Sequence, residues 1–189
     1  MIFWISAWRG KSIFLVLLTA LALLVGNGPG HAAGGREIDA DVNATLDRLY
    51  RHVGGGRELA ERAVAILVFP TVIKAGFGIG GEYGEGALRI AGRTAGYYNT
   101  AAASFGFQLG AEARSVILMF MTPGALEAFR RHDGWTVGVD GSVAILTVGV
   151  GGSIDSGNVT SPVVGIILDP EGLMYNLTLE GSKISRMSP

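Results

Sequence analysis

From Arg36 to Val53 the apolar positions fall at Ile38, Val42, Leu46, Leu49, Tyr50 and Val53, so one stripe of a helix is apolar and the rest polar. Asp39 or Asp41 stands where a cap would start this helix, and Gly54-Gly55-Gly56 stops it. Arg57–Arg62 predicts a short second helix. The period then changes. "AVAILVF" (63–69) is a continuous apolar run, which predicts a buried strand ended by Pro70. Beyond Pro70 the pattern predicts strands at Lys74–Glu82, Glu85–Ala91, Gly96–Thr100, Ala103–Ala111 and Arg114–Met121. "MTPGALEAFRRHDG" (121–134) interrupts them with a helix: Thr122 as N-cap, Pro123 at the first helical position, and Arg130, Arg131 and His132 near the end. Strands resume at Ser142–Val150, Val163–Leu168 and Leu173–Glu180, with Asp169–Gly172 as a tight turn between the last two. Two helices before a meander, and one helix inserted in it, predict an α+β fold with a curved, mostly antiparallel sheet or partial barrel.

The first 32 residues follow another rule. Arg9 and Lys11 precede an apolar run, "SIFLVLLTALALLVG", and "NGPGHAAGG" then supplies small residues and breakers. That order predicts a secretory signal peptide over 1–32, cut after Ala32 or Ala33, ahead of a single domain over 33–189. The competing reading is an uncleaved inner-membrane anchor, for which Ile13–Val25 is short of the ~20 residues a span needs. Cleavage removes two of the 15 basic residues and none of the 16 acids, so net charge moves from −1 to −3. Neither value favours nucleic acid as a partner. The chain has no cysteine, which excludes disulfides, thiol catalysis and cysteine-linked lipidation. The expected location is the periplasm, in soluble or peripherally bound form.

Glycine is abundant, at 30 residues, and it sits inside apolar segments, which suits a sheet that bends sharply. Gly76-Phe77-Gly78-Ile79-Gly80-Gly81 satisfies the G-x-G-x-x-G pattern of dinucleotide-binding turns. Such a turn needs a helix opening on the glycines, and "EYGEGALRIAG" follows instead, an alternating stretch with two more glycines. A glycine face for close packing is the better reading, so no cofactor is expected.

The block "AILVFPTVIKAGFGIGGEYGEGAL" resembles the signature of the SYLF domain, a lipid-binding module of eukaryotic actin-patch and endocytic proteins and of exported bacterial proteins. The resemblance continues in "SFGFQLGAEARSVILMFMTPGALEAF" and closes in "GLMYNLTLEGSKI", spanning about Ala40 to Ile184. Two stretches depart from it. "GYYNTAA" stands where many members have a tryptophan and a proline, and "SIDSGNVTSPVVGIILDPEG" differs from the common bacterial form. The resemblance implies anionic-phospholipid or phosphoinositide recognition in the eukaryotic members.

No catalytic or metal-binding constellation stands out. His52 and His132 are each lone and sit at helix ends, and no G-x-S-x-G elbow occurs. Glu82 and Glu85 flank a predicted turn, where exposed charge is a simpler account than an acid/base couple. Lys74, at the start of the glycine strand, is placed to meet a lipid headgroup phosphate or to snorkel over apolar surface. Arg89 and Arg93, on the predicted partner strand and its turn, are expected in the same neighbourhood. Phe105 and Phe107 are candidates for lining an acyl pocket, with ordinary core packing as the alternative. The expected activity is thus non-catalytic binding of phospholipid or a membrane surface in the cell envelope, alternatively of another envelope protein through the sheet.

Overall fold

The structure is a computed structural model that describes residues 34–149, 151–155, 157, 159–172, 179 and 181–189, with side chains described except at 77–79, 104–110 and 169–172. Contacts divide the chain into two units, Met1–Ala32 and Ala33–Pro189. The predicted signal segment lies outside the described residues, as do Leu173–Thr178 and Glu180 of one predicted strand.

Helix α1 spans Gly35–His52 and buries Ile38, Val42, Thr45 and Leu49, the stripe its spacing predicts. Its start differs. Gly34 is the N-cap, without a side-chain bond, and Asp39 lies more than a turn inside. Helix α2 (Gly56–Arg62) follows from Gly55, whose φ of +75° and close approach to the Ile154 carbonyl leave no room for a side chain.

The next two elements are the centre of the fold. Strand β1 runs unbroken from Ala65 to Ile90 and β2 from Arg93 to Phe120, paired antiparallel along their length around a turn at Ala91-Gly92. Five predicted strands after Pro70, together with the run before it, are therefore two long ones. Pro70 does not end a strand. It sits at a bulge between Phe69 and Val72, where its missing N–H costs no ladder bond, and its carbonyl accepts from Ser115 Oγ at 2.6 Å. The expected turn between Glu82 and Glu85 is likewise plain strand. The ribbon instead doubles back on itself. A Cβ on Gly84 would lie 2.8 Å from the Thr71 carbonyl oxygen, and one on Gly86 2.0 Å from that of Val68, so the two legs of β1 touch through glycine.

Helix α3 (Pro123–Arg131) starts as its sequence predicts, with Thr122 Oγ1 accepting from Ala125 N at 3.2 Å. Strands β3 (Trp135–Thr136), β4 (Ala144–Val148), β5 (Val163–Gly172) and β6 (Lys183–Met187) complete the described sheet, in the order β3-β6-β2-β5-β4 with β1 on β2. Asp169–Gly172 continues β5 rather than turning, because Glu171 and Gly172 pair with Ala113 and Glu112. β4 pairs β5 in parallel while the other pairings are antiparallel. The fold is α+β with a curved sheet, as expected.

The run "AILVF" is apolar throughout because both faces of that leg are covered. Leu67 and Phe69 join Leu118, Phe120, Tyr98, Phe129 and Trp135 inside the curve. Val68 faces the other way, with Ile117, Met119 and the buried stripes of α1 and α2. Fully burying each such side chain contributes about 1.5–3 kcal/mol.

Candidate functional site

Two polar groups interrupt this apolar interior, and each draws on one part of the predicted site. The first lies where the ribbon doubles back. Arg114 donates from Nη2 to Glu82 Oε2 at 2.5 Å and from Nη1 to Glu112 Oε1 at 2.9 Å, with the three side chains 0–5% exposed. Glu82 comes from the second leg of β1, whereas Glu112 and Arg114 come from β2 opposite the first leg. The triad therefore pins one leg to the other. Ser182 Oγ, just before β6, adds a bond to Glu82 Oε1 at 3.3 Å. Glu112 Oε2 is buried and without a hydrogen-bond partner among the described residues. Lys74 pairs directly with Glu112 in the β1–β2 register and is half-buried.

Glu82 is thus neither exposed nor coupled to Glu85. Glu85 instead accepts from the Tyr83 hydroxyl at 2.7 Å. Partial burial, and then that bond and the charge of Glu85, push the Tyr83 phenol up to about 12.

The second group holds α1 to the hairpin end. Asp39 Oδ1 accepts from Thr94 Oγ1 at 2.7 Å and Oδ2 from Tyr97 Oη at 3.1 Å, and Arg89 Nη2 stands 3.3 Å from Oδ1. Arg89 also donates to Thr94 Oγ1 at 2.6 Å, Asn43 Oδ1 at 2.9 Å and the Asp39 carbonyl at 3.2 Å. Desolvation, and then the bond to Asp39, raise the Tyr97 phenol above its usual range. Arg89 Nε is buried and without a partner among the described residues. Further along α1, Arg48 Nη2 donates to Ser115 Oγ at 2.9 Å, a second clamp beside the Pro70 bulge.

Between α1, α2 and the hairpin turn is a recess of about 250 Å³, walled by Leu46, Val64 and Ile66 with Asn43, Tyr50 and Arg89 as its polar lining. Arg57 lies over the Tyr50 ring at 4.8 Å, and burial raises the Tyr50 phenol despite that charge. The turn residue Ala91, which also lines the recess, has φ +49°, a conformation in which a non-glycine side chain is strained.

The predicted basic cluster does not assemble. Arg89 lies on β1 itself, not on a partner strand, and it shares the recess with Ala65 and Ile66. From Ile66 to Lys74 is about 26 Å of strand at ~3.3 Å per residue. Arg93 opens β2 beside the turn and is exposed, near Arg89 and remote from Lys74. Phe105 and Phe107 lie on β2, with side chains outside the described residues. Asp39, Asn43, Tyr97 and the Glu82–Arg114–Glu112 triad were not singled out as a site from sequence, since the contacts of Asn43 and Asp39 with the hairpin and of Arg114 with Glu82 join residues 32 to 58 positions apart. Among the described residues no cluster of three or more histidines and acids could hold a metal ion. No described helix is long and apolar enough to cross a membrane.

Residues 101–188, which run from within β2 to the end of β6, match the family model Ysc84, described as Las17-binding protein actin regulator. No curated protein matches the chain.

Proposed function

We propose, for a chain whose residues 101–188 belong to the Ysc84/SYLF family, that it is a non-catalytic lipid- and membrane-binding module working in the cell envelope and favouring anionic phospholipid. The observation that carries this reading is the recess between α1, α2 and the hairpin turn. Its walls are mostly apolar, Asn43, Tyr50 and Arg89 supply its polar lining, and Arg93 stands exposed on the adjoining turn. Apolar walls with a few convergent polar groups are what a small amphiphile requires. Arg89 is already engaged by Asp39, Thr94 and Asn43, so it orients an acceptor group rather than supplying net charge. Arg93 is the residue placed to supply charge. Lys74 belongs to a separate region, beside Glu112.

Native mass spectrometry of the protein isolated from envelope extract tests this reading. Retained phospholipid, reduced by Arg93→Ala and by the recess-filling Ala63→Phe, is the expected result. A lipid-free protein that also ignores anionic vesicles overturns it.

One observation favours a second reading, an adaptor for another envelope protein. The outer edge of β4 pairs with no described strand, and a cleft of about 440 Å³ runs beside it, lined by Ile145, Leu146 and Val148 and by Ser153, Ile154, Asp155 and Val159. An open strand edge with side-chain pockets can accept an extended peptide. The family description itself names binding to a protein, Las17. A stoichiometric protein partner in pull-downs, lost on Leu146→Lys, is the result that would favour it.

A further inference from the structure

Where the β1–β2 ribbon doubles back, the ordinary distribution of side chains is reversed. The inward positions Glu82, Glu112 and Arg114 are ionic and buried. The outward positions Thr71, Ile73, Ala75, Gly81 and Tyr83 on β1, and Ala101, Ala103 and Ala111 on β2, are exposed and uncharged. The bend residues 75–81 and 101–111 contain no charged side chain at all. Ile73 and Tyr83, one on each leg, are 54% and 50% exposed, and Val139 is the other large apolar side chain so exposed among the described residues.

Water favours the opposite arrangement, so a surface that hides its charges and shows its apolar groups points to something that covers it. The basic residues nearby are equally selective. The domain has two lysines, Lys74 and Lys183, and both flank the bend. Lys74 stands at its beginning, on the inward side opposite Glu112. Lys183 pairs with Ala101, and Ala101 with Tyr83, so Tyr83, Ala101 and Lys183 form one exposed row across β1, β2 and β6. The acid next to that row is Glu85, half-buried and hydrogen-bonded by Tyr83.

We propose that this uncharged bend is the surface that enters the interface of a lipid bilayer. Ile73 and Tyr83 are its anchors, and Lys183, in the exposed row with Tyr83, lies at headgroup level. The inference rests on the membrane-binding reading above and adds to it the face that makes contact. A bilayer fits better than a protein partner. Alanine and glycine fill the described outward positions near the anchors, Ala75, Gly81, Ala101, Ala103 and Ala111, and they offer neither the large pocket-filling side chains nor the hydrogen bonds that fix a partner's orientation. A bilayer interface needs only apolar area, an aromatic ring with a polar tip, and cations facing the phosphates.

The test uses the protein in the form that accumulates in the expressing cell, with vesicles of phosphatidylglycerol and phosphatidylcholine. Sedimentation should show the double variant Ile73→Glu/Tyr83→Glu binding at least roughly tenfold more weakly than wild type. Val139→Glu, at a still more exposed apolar site outside the bend, should bind as wild type does. Tyr83→Trp, a single conservative change, should show a blue-shifted emission on adding vesicles. If wild type binds and the double variant binds equally, or if the tryptophan emission stays put on vesicles that carry the protein, the bend is not the contact face and the membrane reading stands without it. Absence of binding by wild type to any vesicle overturns both. Loss of a protein partner in the double variant, with vesicles ignored throughout, assigns the bend to a protein instead.

Discussion

Arg114 serves two carboxylates in an interior that water does not reach, and nothing in its local sequence marks it out. Removing its charge leaves Glu82 and Glu112 buried beside each other, a situation that costs about 3–5 kcal/mol when a buried ion pair loses one partner. Arg114→Met should therefore lower stability by that order in urea unfolding. Replacing all three residues with apolar ones of similar volume should return most of the loss, because the desolvation of the charges disappears with them. Tyr83 gives a second test at this scale. Its folded-state value is raised to about 12 from the usual 10, so its hydroxyl contributes stability below pH ~10 that is lost as pH rises through 12. Its half-exposed position keeps that contribution small. Absorbance titration should show a late-ionising tyrosine that is missing in Tyr83→Phe.

The decisive feature among the elements is a strand that folds onto itself. Gly86 and Gly92 separate the two reasons a ribbon needs glycine. At Gly86 a methyl group would run into the Val68 carbonyl, whereas Gly92 has open space but a φ of +76°. Gly86→Ala should cost more than the ~1–3 kcal/mol typical of overpacking, since the obstacle is backbone and cannot move aside. Gly92→Ala should cost only about 1–2 kcal/mol, the left-handed penalty of a residue with a Cβ. Equal costs in thermal unfolding would mean that the two legs are not held in contact. The helices and the α3 cap are legible in sequence because they depend on residues a few positions apart. The ends of β1 and β2 are not, because a strand ends where its partner does. Pro70 and the Tyr83-Gly84 pair look like stops, but the bulge after Phe69 and the continuous pairing with β2 carry the strand through both.

At the scale of the whole molecule, α1 is held across the ribbon at both ends, by Asp39 on Arg89, Thr94 and Tyr97, and by Arg48 on Ser115. A double-mutant cycle on Asp39→Ala and Arg89→Ala should give a coupling energy of about 0.5–3 kcal/mol, the range for groups in one network. Hydrogen exchange in α1 should rise in either single variant before the rest of the domain is affected. Additive single effects would show that helix packing alone, through Ile38, Val42 and Leu49, sets the position of α1.

By itself the sequence determined the three helices, the apolar face of α1, the Thr122 cap, the need for glycine along one strand and the resemblance to the SYLF family. These follow from spacing within one turn or one pleat, or from short motifs. Only the tertiary structure decided which charged residues point inward. Glu82 and Glu85, three apart on one strand, look alike in sequence, yet one is locked to Arg114 in the interior and the other to Tyr83 at the surface. Only the tertiary structure, too, separated Lys74 from Arg89 and Arg93 and brought Asp39 to Arg89. A side chain's partner depends on how the ribbon is paired and where it bends, and both are set by contacts between residues far apart in the chain.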